Sequence, residues 1–151
     1  MTEPLNEKIK QATFINKSPE EVFDAITSAE AWNSFFTHNS SIDPKPGGEF
    51  IWRWKNWGPD SYTIEVPGKV IELVRPELFV FEWGNKSPSR ITIKLQDSNG
   101  GTVLRLTEYG YINDSSGRAA ALECAAGWGE ALTLLKFYLE HGITYTSSTN
   151  S

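Results

Sequence analysis

The last third of the chain has the periodicity of one long helix, and its composition changes halfway along. Read at 3.6 residues per turn, one face starts small, has an indole in its middle and ends in leucine. The residues of that face are Ala121, Cys124, Ala125, Trp128, Leu132, Leu135 and Leu139. Gly127 and Gly129 flank the indole, and each costs about 1 kcal/mol relative to alanine inside a helix. The pattern predicts a helix that closes over a concave sheet and leaves room beneath its small-residue half.

Length and composition restrict the remaining possibilities. A chain of 151 residues fits one domain, and such a domain buries roughly 70% of its unfolded surface. The net charge of −5 and the lack of any basic cluster argue against nucleic acid as a partner. The first eight residues lack the apolar stretch of a signal peptide and no segment approaches the length of a membrane span. We therefore expect a soluble, cytoplasmic protein without a membrane span.

The sequence contains no motif typical of a metal-binding or cofactor-binding site. Two histidines and one cysteine, far apart in the sequence, do not form a zinc site of standard spacing. No glycine-rich phosphate loop and no Gly-x-Ser-x-Gly turn occurs. A single cysteine also excludes an internal disulfide. We expect neither a metal nor a cofactor, and we assign no catalytic residue.

The segment before the long helix alternates between strand and helix signals. Residues 9–16 form the first predicted strand, and Ser18 to Glu21, with Pro19, is a capping box that starts a short helix. A second short helix begins near Ser28. From Gly47 onward the period is two, and five strands follow, of which the longest is interrupted by Pro67-Gly68, a signal of a bulge or an edge position. Hairpin-length links predict an antiparallel sheet with one apolar face.

The last helix is the only element long enough to cover that apolar face. It is expected to start between Asp114 and Ser116 and to end at Gly142, a typical residue after a helix C-terminus. We assign residues 8–142 to a single domain, residues 1–7 to a flexible N-terminus and residues 143–151 to a flexible tail.

Five stretches of the sequence carry a likeness to a known family. They are Ser18-Pro19-Glu20-Glu21-Val22-Phe23, Gly48 through Trp54, Gly68-Lys69-Val70-Ile71-Glu72 with Pro76, Phe81-Glu82-Trp83, and Gly127-Trp128 with Leu132, Leu135, Tyr138, Leu139 and Glu140. With the element order, they resemble the START-like (helix-grip, birch-pollen-allergen-like) superfamily. More narrowly, the chain is similar to the family named for the C-terminal domain of the activator of the heat-shock-protein-90 ATPase.

The resemblance implies an α+β, helix-grip fold. In this fold a curved antiparallel sheet of about six strands wraps around a long C-terminal helix, and two short helices follow the first strand. The fold hosts transfer proteins, cyclases, co-chaperone domains and other binders, so the likeness is specific for architecture and open for function.

The candidate ligand-binding residues lie on the predicted inner face of the sheet and on the helix stripe. They are Trp52, Trp54, Phe81, Trp83, Leu104, Glu108, Cys124 and Trp128. The alternative for most of them is a solid core. Glu108 continues the inward register of Leu104 or, if the strand has already ended, is solvated. Tyr109 or Tyr111 can close the pocket with its hydroxyl group.

Other polar residues are assigned to the surface. His38 lies in a polar loop, where solvent exposure is the expected state and contact with a ligand at the pocket entrance the alternative. His141 is placed to interact with the last carbonyls of the helix. Glu82 faces outward by strand parity and is expected to pair with Arg90 or Lys94.

Three functions fit these residues. The first is binding of a small apolar or aromatic molecule, such as a lipid or polyketide, between sheet and helix. The second is a protein-interaction domain that regulates a heat-shock ATPase and acts in the stress response, with a chaperone as partner. The third is a polyketide cyclase-like enzyme in which Glu108 or His38 transfers a proton. A monomer and a homodimer are both compatible with the sequence.

Overall fold

The computed structural model describes residues 8–84 and 88–145. In chain order its elements are β1 (Ile9–Ile15), α1 (Pro19–Ile26), α2 (Ala29–Phe35), β2 (Ser41–Ile42), β3 (Glu49–Trp57), β4 (Tyr62–Val74), β5 (Leu78–Trp83), β6 (Ser89–Ser98), β7 (Gly101–Tyr109) and α3 (Ser115–His141). The predicted flexible ends at residues 1–7 and 146–151, and most of the turn after Trp83, lie outside the described residues.

The strands form one antiparallel sheet in the order β1-β7-β6-β5-β4-β3-β2. The first strand therefore lies beside the last, with Ile9 opposite Glu108 and Ile15 opposite Thr102. The two-residue strand β2 is an addition to the six strands that the sequence predicts. The α+β, helix-grip architecture is confirmed, because the sheet is followed by the long C-terminal helix and the two short helices follow β1.

On the strands, every second residue points towards the core, as the period-two pattern predicts. Phe50, Trp52 and Trp54 of β3 are buried on one face. Their counterparts on the other strands complete the inner face of the sheet: Ile9, Ile15, Phe79, Phe81, Ile91, Ile93, Leu95, Leu104 and Leu106. The buried residues of the helices join the same cluster.

Helix ends follow their capping residues. The Ser18 hydroxyl accepts a hydrogen bond from the Glu21 N–H (3.2 Å), and Asp114 accepts one from the Gly117 N–H (2.7 Å). Gly142 has a left-handed backbone with φ of 67°, and its N–H donates to the Tyr138 carbonyl (2.9 Å). These caps start α1, and start and end α3, where the sequence predicts. Among the described residues, no helix has both the length and the apolar character needed to cross a membrane.

The prediction of a bulge or an edge position at Pro67-Gly68 is wrong. Pro67 and Gly68 pair in regular register with β3, and β4 is an internal strand between β3 and β5. The register shift lies instead between Val70 and Glu72. Gly68 is required for another reason, because the Phe50 ring lies against it and leaves no space for a Cβ atom. The glycine thus admits a core ring rather than a bend.

The first residues after α3 return to the domain. The Tyr145 N–H donates to the Ser34 carbonyl (2.9 Å), and the Tyr145 ring meets the edge of Trp57 at a centroid distance of 5.1 Å. Tyr145, which the sequence assigns to a flexible tail, therefore contacts α2 and β3.

Candidate functional site

A cavity of about 430 Å³ lies between the sheet and the N-terminal half of α3. Seven aromatic rings contribute to its wall: Phe36, Trp54, Trp57, Tyr62, Trp83, Tyr111 and Trp128. The helix contributes Ala120, Glu123, Cys124, Gly127 and Glu130, and Val66, Gly84 and Ser89 complete the lining. The wall therefore combines large aromatic rings, one of them Trp128 of the helix, with the small residues Ala120, Cys124 and Gly127 and two glutamates of the helix.

The cavity exists because the two halves of α3 are packed differently. Residues 115–127, which we name the cavity segment, contain no buried residue. In residues 128–141, the core segment, Trp128, Ala131, Leu132 and Leu135 are buried. Apart from its chain neighbours and the adjacent backbone of α3, no atom lies within 4 Å of the point where a Cβ atom on Gly127 would be. The composition change along the stripe thus corresponds to a change from cavity to core.

Glu108 lies beneath the cavity wall and is fully buried. Trp128 Nε1 donates to Oε1 of this carboxylate (2.8 Å), and Trp83 Nε1 donates to Oε2 (2.9 Å). The Tyr111 hydroxyl (2.9 Å) and the Ser89 hydroxyl also donate to Oε2. Of the two alternatives for Glu108, the inward one is therefore correct. Its donors come from β5, β6, the segment after β7 and α3.

This network determines what Glu108 can do chemically. Four donors contact this carboxylate, three at Oε2 and one at Oε1, out of about four acceptor sites in an ionised carboxylate. Because an indole N–H can only donate, both oxygens must act as acceptors. Because Glu108 is fully buried and is not part of the cavity lining, its carboxylate does not directly face a molecule in the cavity. Its effect is structural: it fixes Trp83 and Trp128 in a stacked pair with ring centroids 5.2 Å apart.

One thiol and two phenol groups on the wall favour their neutral forms. Burial, followed by the negative charge of Glu108, raises the pKa of the Cys124 thiol to about 11. The same two causes raise the pKa of Tyr111 strongly. Burial also raises the pKa of Tyr62, with smaller contributions from Cys124 and Glu123. At neutral pH these hydroxyl and thiol groups are therefore uncharged hydrogen-bonding groups.

The structure separates the predicted ligand-binding residues into two groups. Trp54, Trp83, Cys124 and Trp128 line the cavity. The other four do not line it, because they are covered by neighbouring core residues: Trp52, Phe81, Leu104 and Glu108.

Sequence reasoning missed part of the wall. Phe36, Trp57, Tyr62 and Val66 line the cavity and were not among the candidates. Trp57 and Tyr62 pair with each other across the hairpin of β3 and β4, after a register shift that begins at Trp54. Strand parity does not extend through such a shift, and only the density of rings around this hairpin signals a pocket.

The remaining polar candidates lie elsewhere. His38 is exposed and outside the cavity wall, and its backbone N–H donates to the Arg53 carbonyl (2.7 Å). His141 is exposed at the end of α3. Glu82 pairs with Arg90 at 2.8 Å, as strand parity predicts. Of the two tyrosines, Tyr111 reaches the cavity, whereas Tyr109 is 41% exposed.

Comparison with solved structures supports the architecture. The protein SSP2350 from Staphylococcus saprophyticus is 27% identical, with a TM-score of 0.75 over 94% of this chain and 98% of that one. DynU16, a putative protein in the dynemicin biosynthetic locus, is 16% identical, with a TM-score of 0.77 over 94% of this chain and 50% of that one. The Aha1 dimer from Colwellia psychrerythraea is 20% identical, with a TM-score of 0.72 over 90% of this chain and 98% of that one.

Sequence comparison identifies the family. No curated protein matches the chain significantly. The profile of one family matches residues 16–140, which is most of the sequence. It includes α1, α2, all strands after β1 and nearly all of α3. The chain therefore belongs to the family described as Activator of Hsp90 ATPase homolog 1-like protein.

Proposed function

We propose that this protein binds a small, largely apolar molecule in the cavity between the sheet and the cavity segment of α3. The observation that carries the proposal is the wall itself: seven aromatic rings surround about 430 Å³ beneath a helix segment of mostly small residues. Ligand pockets in proteins typically have volumes of about 300–1,000 Å³ and a few placed polar groups. This cavity lies at the small end of that range, so it suits a ligand of a few rings.

The buried network supports the proposal because it organises the wall before any ligand arrives. Glu108 holds the indoles of Trp83 and Trp128, and both rings face the cavity from opposite elements. Side chains that are already fixed lose little conformational freedom on binding, which improves affinity. The uncharged hydroxyl of Tyr111 and thiol of Cys124 provide polar groups for orientation.

The comparisons are compatible with this function. One structural relative is described as a putative protein in a biosynthetic locus, a context in which small molecules are handled. The family description names an ATPase activator homologue, which keeps a chaperone partner as the alternative. An enzymatic role receives less support, because neither Glu108 nor His38, the two residues considered for proton transfer, lines the cavity.

The proposal is tested by filling the cavity. Gly127→Leu places a side chain in the open space beside the helix, whereas Ala126→Leu adds the same side chain at an exposed neighbouring position. Molecules that co-purify with the wild-type protein are identified by comparing native with denaturing mass spectrometry. Each is then titrated in a thermal-shift assay, where a true ligand raises Tm with concentration.

We expect ligand-dependent stabilisation in the wild type and in Ala126→Leu and its loss in Gly127→Leu. Equal stabilisation of all three proteins would place the ligand elsewhere and contradict the proposal. A protein that carries no ligand, binds no apolar compound and stimulates a heat-shock ATPase would support the alternative.

A further inference from the structure

We propose that the ligand of this cavity carries a positive charge, as a protonated amine or quaternary ammonium group attached to an apolar or aromatic body. This inference rests on the proposed function and adds the chemical class of the ligand. Among the described residues, the cavity lining contains two carboxylates, Glu123 and Glu130, and no lysine, arginine or histidine. An apolar pocket for a fatty acid or another anion would need a cationic partner for the ligand's head group.

The aromatic wall is suited to a cation. Four tryptophans line the cavity: Trp54, Trp57, Trp83 and Trp128. Tryptophan is the best aromatic partner for a cation, and quaternary ammonium groups are commonly bound in cages of such rings. Neutral aromatic molecules also bind to rings, so the aromatic wall by itself does not decide the charge of the ligand.

The placement of the carboxylates decides it. Glu123 and Glu130 are seven residues apart, which is about two turns, and so lie on the same side of α3. Glu130 accepts a hydrogen bond from Trp57 Nε1 (3.3 Å), so one carboxylate is joined to an aromatic ring of the wall. Glu123 has no ion-pair partner within the described part of the chain.

A third carboxylate acts from beneath the wall. Glu108 is buried behind Trp83 and Trp128, where its charge is weakly screened. Its effect is visible on neighbouring groups, because after burial it is the largest cause that raises the pKa of Cys124 and of Tyr111. A field that disfavours a thiolate at the wall also disfavours an anionic ligand and favours a cationic one.

Three probes of similar shape isolate the charge. Phenyltrimethylammonium, tert-butylbenzene and benzenesulfonate share a phenyl ring and a compact tetrahedral group, and they are cationic, neutral and anionic. Their dissociation constants are measured by ligand-observed NMR titration at constant ionic strength. We expect the cation to bind at least about tenfold more tightly than tert-butylbenzene, the size of effect that a desolvated cation–π contact produces. Benzenesulfonate is expected not to bind.

Variants identify the source of the preference. The double substitution Glu123→Gln with Glu130→Gln keeps the shape of both exposed side chains and removes their charge. It is expected to weaken phenyltrimethylammonium binding about three- to tenfold and to leave tert-butylbenzene unchanged. Glu72→Gln, which removes an exposed carboxylate outside the cavity lining, is the matched control and should change neither constant by more than about twofold.

The outcomes separate this inference from the proposed function. If tert-butylbenzene or benzenesulfonate binds as tightly as the cation, the cavity binds ligands but the inference about charge is wrong. The assignment of the preference to Glu123 and Glu130 is wrong if the double variant keeps the full preference for the cation, or if Glu72→Gln reduces that preference equally. If none of the three probes binds and no molecule co-purifies, the proposed function itself is overturned.

Discussion

The cavity segment and the core segment of α3 share one helix and one cap at each end, but they contact the domain differently. In the core segment, Trp128, Leu132 and Leu135 are inserted into the cluster formed by the inner face of the sheet. In the cavity segment no residue is buried, and Leu122 is 74% exposed. One continuous helix therefore provides both a part of the core and the roof of a cavity.

The comparison shows how a fold can keep stability and binding apart. Burial of large apolar side chains stabilises the core segment, since each contributes about 1.5–3 kcal/mol relative to exposure. The cavity segment has no buried large side chain. One of its contacts with the sheet is a hydrogen bond from Gln11 Nε2 of β1 to the Ala125 carbonyl (2.9 Å). Its residues can therefore be small without loss of the fold, and that leaves space for a ligand.

The largest expected effect is the difference between two leucines of α3. Leu135→Ala should lower the free energy of unfolding by about 2–5 kcal/mol, because Leu135 is fully buried and its truncation leaves a cavity. Leu122→Ala, the same change in the cavity segment, should alter it by less than about 0.5 kcal/mol. Urea denaturation measures both. Equal losses would show that the two segments do not differ in packing.

The second prediction concerns the single thiol, which lies in the cavity segment. Because the pKa of Cys124 is raised to about 11, its thiolate fraction at pH 8 is roughly 200-fold below that of a free cysteine with a pKa of about 8.5. Alkylation should therefore be slow at pH 8 and accelerate as the pH rises towards 11. The protein unfolded in urea is the control. Alkylation of the folded protein at the unfolded rate would mean that the cavity segment does not stay closed.

The third prediction concerns the buried carboxylate of Glu108, which joins Trp128 of the core segment to the sheet. In Glu108→Gln an amide N–H₂ must replace one acceptor oxygen and then faces a donor, either Trp128 Nε1 or a donor to Oε2. We expect a loss of about 2–3 kcal/mol in the free energy of unfolding, because at least one buried donor is left unpaired. Glu123→Gln, at an exposed position of the cavity segment, is the control. An unchanged stability for Glu108→Gln would contradict the role of the network.

The fourth prediction compares two buried tryptophans. Trp128 Nε1 donates to Glu108, whereas Trp52 Nε1 has no hydrogen-bond partner within the described part of the chain. Substitution by phenylalanine removes a similar volume from each. Trp128→Phe should therefore be more destabilising than Trp52→Phe by about 1.5–3 kcal/mol, the contribution of a hydrogen bond to a charged group. Thermal or urea unfolding of both variants tests this, and a larger loss for Trp52→Phe would oppose it.

The smallest expected effect comes from the two glycines beside Trp128. Gly127→Ala and Gly129→Ala should each stabilise the protein by about 0.5–1 kcal/mol through helix propensity, because neither new Cβ atom clashes. Gly127 lines the cavity and Gly129 does not. Only Gly127→Ala should therefore weaken ligand binding, as isothermal titration with a bound ligand would measure. Equal weakening by both would show that Gly127 has no special relation to the cavity.

The features that could be predicted from the sequence are those that depend on local periodicity and caps. Strand faces follow from alternation, the start of α1 follows from Ser18, and the two ends of α3 follow from Asp114 and Gly142. Which residues of a buried face line the cavity could not be predicted in this way. Trp52 and Trp54 lie on the same face of the same strand, but only Trp54 lines the cavity. Trp52 is covered because the ring of Trp32 from α2 packs against it, with the two ring centroids 4.8 Å apart. That contact depends on how the helices dock, which periodicity does not encode.

The hydrogen-bond network of Glu108 also could not be predicted from the sequence. An inward carboxylate was one of two alternatives, and its four donors come from four separate parts of the chain. Nothing in the spacing of Trp83, Ser89, Tyr111 and Trp128 indicates that they meet at one residue. Sequence reasoning could place the residue on a face, but only the folded sheet and helix show that it holds Trp83 and Trp128 of the wall.

Residue-resolved amide hydrogen exchange along α3 tests the central claim most directly. The account predicts protection close to the global free energy of unfolding in the core segment and much weaker protection in the cavity segment. It also predicts that a ligand of the cavity raises the protection of the cavity segment by a larger factor than that of the core segment. Uniform protection along the whole helix, unchanged by ligand, would contradict the division of α3 into a core part and a cavity part.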